Sequence, residues 1–181
     1  MRKSLDFLYK ASGALAAAFL AAICIIVMLQ VGANMIDSLF RLLTGEPLGL
    51  LIPSYSEFTG FFLVSASFLA LAYSLRAGSH IRVSLIIRGF SGRGRKVIDL
   101  WCTASGAIFS AYFSWHTILM VIDSYKFNDI SYGMIPVAIW IPQAGMPIGL
   151  VILTIALIDE MVTVLKGGTP EFEKGDGEQL E

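Results

Sequence analysis

The sequence predicts an all-α, polytopic membrane protein: four transmembrane helices, with an interfacial helix on the cytoplasmic surface between the second and third. Three observations carry this. Apolar residues make up 56% of the 181-residue chain and charged residues only 15%, against about 25% charged in an ordinary soluble domain. The apolar residues fall in four blocks, each long enough to cross a bilayer core of about 30 Å at 1.5 Å per residue. Lysine and arginine gather on alternate connections. A barrel is not favoured, because its strands would show as shorter segments of alternating polarity.

The first span is read over residues 13–36, interrupted only by Gln30 and Asn34. Its apolar run exceeds the roughly 7–15 residues of a signal-peptide core, so the expectation is an uncleaved span despite the basic start at Arg2, Lys3 and Lys10. Gln30 and Asn34 stand four apart and share a face, and with Gly32 nearby that face is expected to pack on protein. Residues 37–53 (DSLFRLLTGEPLGLLIP) are read as a loop on the outer membrane surface. The second span, 54–75, opens with Ser54 three residues before Glu57, the spacing of a capping box, so Glu57 reads as a helix-start carboxylate before it reads as an ion site.

The segment His80 to Phe90 (HIRVSLIIRGF) places Val83, Ile86, Ile87 and Phe90 on one helical stripe. Together with Arg82 this is the pattern of a helix lying in the interface against lipid phosphates. The third span, 97–121, begins near Asp99, for which Arg95 is a partner at helical spacing, and contains His116 in mid-span, read as a hydrogen-bonding group between helices. The fourth, 135–165, carries Pro136, Pro142 and Pro147 in its first half and Asp159 and Glu160 near its end. Those two acids oppose the helix dipole, and arginines of the second connection are their expected partners. Residues 1–166 thus form one membrane domain. Residues 167–181, polar and acidic, read as a disordered tail.

Orientation follows from basic residues. Eleven of the thirteen lie in the N-terminal segment, the second connection and the C-terminal segment; the other two are Arg41 and Lys126. The eleven-residue side is expected in the cytoplasm, with both termini there.

The functional classes narrow by chemistry. A net charge of −1 gives no ground for a nucleic-acid partner. Cys24 and Cys102 sit inside apolar blocks; a disulfide between them is open in principle, but they read as two small apolar residues. No G-x-S-x-G, HExxH, P-loop or GxGxxG occurs, so an enzyme is not expected. A redox subunit would need His80 and His116 as haem ligands, and they stand at different depths. A small self-assembling carrier or channel is the main alternative to a supporting subunit. No internal repeat of the kind common in carriers is evident, and the spans offer few charges for a transport path.

From Pro53 to Lys96 the order is PSYSEFTGFFLVSASFLALAYSLRAGSHIRVSLIIRGFSGRGRK, and the fourth span begins IPVAIWIPQAGMPIGLVILTI. An acid opens a span, Arg-x-Gly-x-His-Ile-x-Val closes it, a basic turn follows, and a Pro/Trp segment leads into Met-Pro-Ile-Gly. In this order and spacing the chain resembles the small membrane subunit of tripartite ATP-independent periplasmic (TRAP) transporters, the DctQ-like family. The residues matching that pattern are Glu57, Arg76, Gly78, His80, Ile81, Val83, Trp140, Pro142, Pro147 and Gly149, and with Arg82 they are the candidate interface or structural positions. The family often has arginine and an aromatic near the end of the first span, where this chain has Asn34 and Met35. The resemblance implies a bacterial or archaeal inner-membrane uptake system for organic anions. Its expected partners are a large permease subunit, which holds the sodium coupling, a periplasmic substrate-binding protein and membrane lipid. It implies no catalytic, metal or cofactor site in this chain. Small residues of the fourth span, Ala144, Gly145 and Gly149, are expected to let a larger partner approach closely.

Overall fold

A computed structural model describes residues 2–77 and 92–166 of the chain. The described residues form five helices: α1 (Arg2–Thr44), α2 (Tyr55–Arg76), α3 (Gly92–Lys126), the single turn α4 (Trp140–Gln143) and α5 (Gly145–Leu165). Four stretches, Ser4–Thr44, Tyr55–Arg76, Val97–Lys126 and Trp140–Leu165, are long and apolar enough to cross a membrane. The predicted interfacial helix and the acidic tail lie outside the described residues.

The helices overrun the apolar windows at several ends. At 43 residues, α1 is about 65 Å long at 1.5 Å per residue, roughly twice a bilayer core. Nothing between Arg2 and Thr44 stops it. Backbone hydrogen bonding continues through the polar flanks until Gly45, whose φ of 84° lets its N–H turn back to the Arg41 carbonyl at 2.9 Å. Residues 37–44 are therefore helix, not surface loop. The chain then folds back along α1: Gly49 N–H donates to Asp37 at 2.7 Å, and Ile52 N–H to the Gln30 side-chain oxygen at 3.1 Å. Gln30 also donates to Asn34 at 3.1 Å. The expected protein-packed face is met at Gln30, which is buried, but not at Asn34, which is exposed, and the nearby Gly32 has no neighbour within 4 Å of an added Cβ.

α5 starts later than the expected 135. Residues 129–139 close a small loop instead, through an isolated bridge between Ile130 and Ala138 and the Ser131 N–H on the Val137 carbonyl at 2.9 Å. Pro142 and Pro147 supply no N–H to the helical ladder, and the helix is divided at Ala144 between them.

Tertiary packing runs in sequence α1–α2–α5–α3. Long seams join α1 to α2, α2 to α5 and α5 to α3, while α1 meets α5 only marginally and shares no seam with α3. A closed four-helix bundle would have a fourth seam; this is an open row. The buried apolar centre, Tyr9, Ala16, Leu69, Ala72, Leu75, Ile152 and Ala156, lies where α1, α2 and α5 meet. Small polar groups stitch the seams. Ser12 donates to the Leu69 carbonyl at 2.5 Å between α1 and α2. Ser110 donates to the Leu150 carbonyl at 3.2 Å and accepts from Thr154 at 2.9 Å between α3 and α5. Without water to compete, such bonds satisfy groups that have few alternatives.

Candidate functional site

Two polar constellations lie at opposite ends of α2, and a glycine seam between α2 and α5 lies between them. At one end Arg76, the last residue of α2, reaches two helices at once. Its guanidinium pairs with Asp6 of α1 and, at 2.9 Å, with Asp159 of α5. Its carbon centre lies 5.2 Å from the centroid of the Tyr9 ring, close enough for a cation–π contact. The planar fork suits this, because separate N–H groups serve separate carboxylates. The expected pairing of Asp159 with an arginine of the second connection is realised through Arg76. Asp6 was not singled out by sequence; its role becomes visible only because α1 is helical well before the apolar run. Gly78, His80 and Arg82, with Ile81 and Val83, lie outside the described residues.

In the middle, α2 and α5 approach so closely that only glycine fits. A Cβ on Gly149 would lie against the Phe68 backbone and 2.8 Å from its Cβ; one on Gly145 would lie 2.8 Å from the Ser65 Cβ. This corrects the expectation that these glycines serve a partner, because the close approach is spent inside the chain. Pro147 is buried as well. Pro142 lines an apolar cleft of about 320 Å³ with Phe19, Phe58, Phe61 and Phe62. Trp140 meets the edge of Tyr125, ring centroids 5.5 Å apart.

At the far end, the expected capping box does not form. Ser54 adopts a left-handed backbone, φ 57°, and its side chain caps nothing in α2. Its hydroxyl oxygen instead accepts the Ile135 N–H at 3.0 Å, tying the third connection to the start of α2. Glu57 is thereby released from a capping role. One carboxylate oxygen is buried without a hydrogen-bond partner among the described residues. It faces Gly133, where an added Cβ would overlap it. Gly133 carries no periodicity or motif signal that sequence reading could have used.

Among the described residues His116 bridges no helices. It is exposed and stacks on Tyr112, ring centroids 4.4 Å apart. Asp99 is buried, and the side chain of Arg95, its expected partner, lies outside the described residues. α3 turns its small polar residues Thr103, Ser110 and Ser114 inward and presents Trp101, Ile108, Tyr112 and Trp115 outward. That polarity is reversed from a water-soluble helix and fits apolar surroundings.

Four span-capable helices, polar groups held at the seams and large side chains turned outward define an all-helical, multi-pass membrane protein. Residues 23–167 match the family of tripartite ATP-independent periplasmic transporters, DctQ component, and the chain belongs to that family. It is accordingly a membrane component of a TRAP transporter, and the family is a transporter component, not an enzyme family. Neither the curated proteins nor the solved structures searched give a match.

Proposed function

We propose that this chain is the small permease subunit that braces the large transport subunit of a sodium-coupled TRAP system taking up organic anions. The open helix row carries this reading. Each of its end helices has a packed seam with one neighbour only, so the row offers broad apolar faces and encloses no channel between four helices. Such a slab suits lying against a larger membrane body. His116 adds to this, since an imidazole facing hydrocarbon at mid-span is costly and a covering protein removes the cost. Substrate capture belongs in this reading to the soluble binding protein, and sodium coupling to the large subunit. The basic-residue count supports both termini in the cytoplasm, with Glu57 and residues 127–139 on the outside.

One experiment reads partner and orientation together. A tagged chain without Cys24 and Cys102, carrying one new cysteine, is labelled in sealed cells with a membrane-impermeant thiol reagent and then purified in mild detergent. A cysteine at Leu48 should label, one at Gly175 should not, and a large multi-span permease should co-purify. Labelling at Gly175 overturns the orientation; recovery of the chain alone overturns the subunit reading.

A further inference from the structure

We propose that the pocket around Glu57 is a socket for a lysine or arginine side chain from an outer loop of the large permease subunit. The inference rests on the proposed function and deepens it. The cavity is about 690 Å³. It is formed where the start of α2 meets residues 51–52 of the first connection and 131–134 of the third, so three separate segments build it. Its lining includes Tyr55, Phe61 and Tyr132, and Glu57 is the one charged side chain in that lining. A carboxylate with aromatic rings beside it is the chemistry that recognises an organic cation.

The socket is shaped for a charge that the described residues do not supply. The Glu57 oxygen stands buried without a partner among the described residues, and Gly133 is the residue that leaves it room. Buried charge is tolerated when it is paired. The surrounding end of the molecule repeats the sign: Asp37, Glu46, Glu57, Asp123 and Asp129 stand against Arg41 and Lys126. Attraction there is for a basic group. The volume exceeds what a bare metal ion needs and accommodates a lysine or guanidinium head with water. A resident subunit is favoured over the soluble protein for a physical reason. A partner that comes and goes would leave the carboxylate unpaired in every cycle, whereas a permanent one removes the penalty for the life of the complex.

The test measures dissociation of the small–large complex in detergent for wild type, Glu57→Gln, Gly133→Ala and the exposed control Glu46→Gln. Thermal unfolding of the small subunit alone serves as a folding check. Glu57→Gln keeps the side-chain shape and one acceptor, so its expected effect is a dissociation constant raised about tenfold, the low end for loss of a desolvated charge pair. Gly133→Ala should raise it as well, and Glu46→Gln should not. Equal affinity for Glu57→Gln and wild type, with equal unfolding temperatures, overturns the socket alone. Unchanged subunit affinity with a higher half-saturating concentration of binding protein for uptake assigns the pocket to the soluble partner and overturns it too. Absence of any wild-type complex would instead remove the proposed function itself.

Discussion

Replacing Arg76 by alanine should destabilise the isolated chain by about 2–4 kcal/mol, somewhat below the range for breaking a fully buried pair. The reduction reflects exposure: the side chains of Arg76, Asp6 and Asp159 are 19%, 42% and 24% accessible. Without the guanidinium, two carboxylates from α1 and α5 face one another with no cation between them, and the Tyr9 ring loses its cover. Arg76→Lys should fall between, since one ammonium cannot hold both acids in the geometry of a fork. The pairing is tested by coupling. Asp159→Asn should cost less in the Arg76→Ala background than in the wild type. Thermal unfolding in detergent reads all four proteins. Additive losses would mean that Arg76 and Asp159 do not act together.

Gly149 should tolerate no side chain without moving its neighbours. An added methyl meets the Phe68 backbone, which cannot rotate away as a side chain would. Gly149→Ala should therefore push α5 off α2 at a cost of about 1–3 kcal/mol, the usual range for overpacking, and Gly149→Leu should prevent folding. Gly60, in α2, is the internal control: nothing lies within 4 Å of its added Cβ. Gly60→Ala should stabilise the helix by about 0.4–1 kcal/mol through lower chain entropy. The two alanine substitutions thus have opposite signs. If both lower the unfolding temperature equally, the close α2–α5 seam is wrong.

The spans were legible because membrane crossing is a matter of run length and composition, which a single sequence displays directly. Their ends were not, because helical hydrogen bonding ignores polarity. Arg2–Lys10 and Asp37–Thr44 are as helical as the apolar centre of α1. The pairing of Asp159 with an arginine could be anticipated from an acid at the wrong end of a helix dipole. Asp6 could not, since it looked like part of a polar tail.

Local motifs failed where a distant group competed. Ser54 and Glu57 have capping-box spacing, yet Ile135, 81 residues on, takes the Ser54 oxygen. The same contact frees Glu57 for the pocket beside it. Small residues told that close packing occurs and not with whom; Gly145 and Gly149 are satisfied by Ser65 and Phe68 of the same chain. His116 shows that mid-span polarity is not a sign of burial. Its stripe, with Trp101, Ile108 and Tyr112, is the exposed one, and the buried stripe is marked by Thr103, Ser110 and Ser114.

The central claim is that this chain supports transport and does not perform it. Uptake of radiolabelled organic acid into liposomes, under an inward sodium gradient and with loaded binding protein outside, tests that claim most directly. The chain alone should give no uptake above empty liposomes. The large subunit alone should give little, and the two together should give sodium-dependent accumulation. Full-rate uptake by the large subunit without this chain, or uptake by this chain alone, would contradict the account.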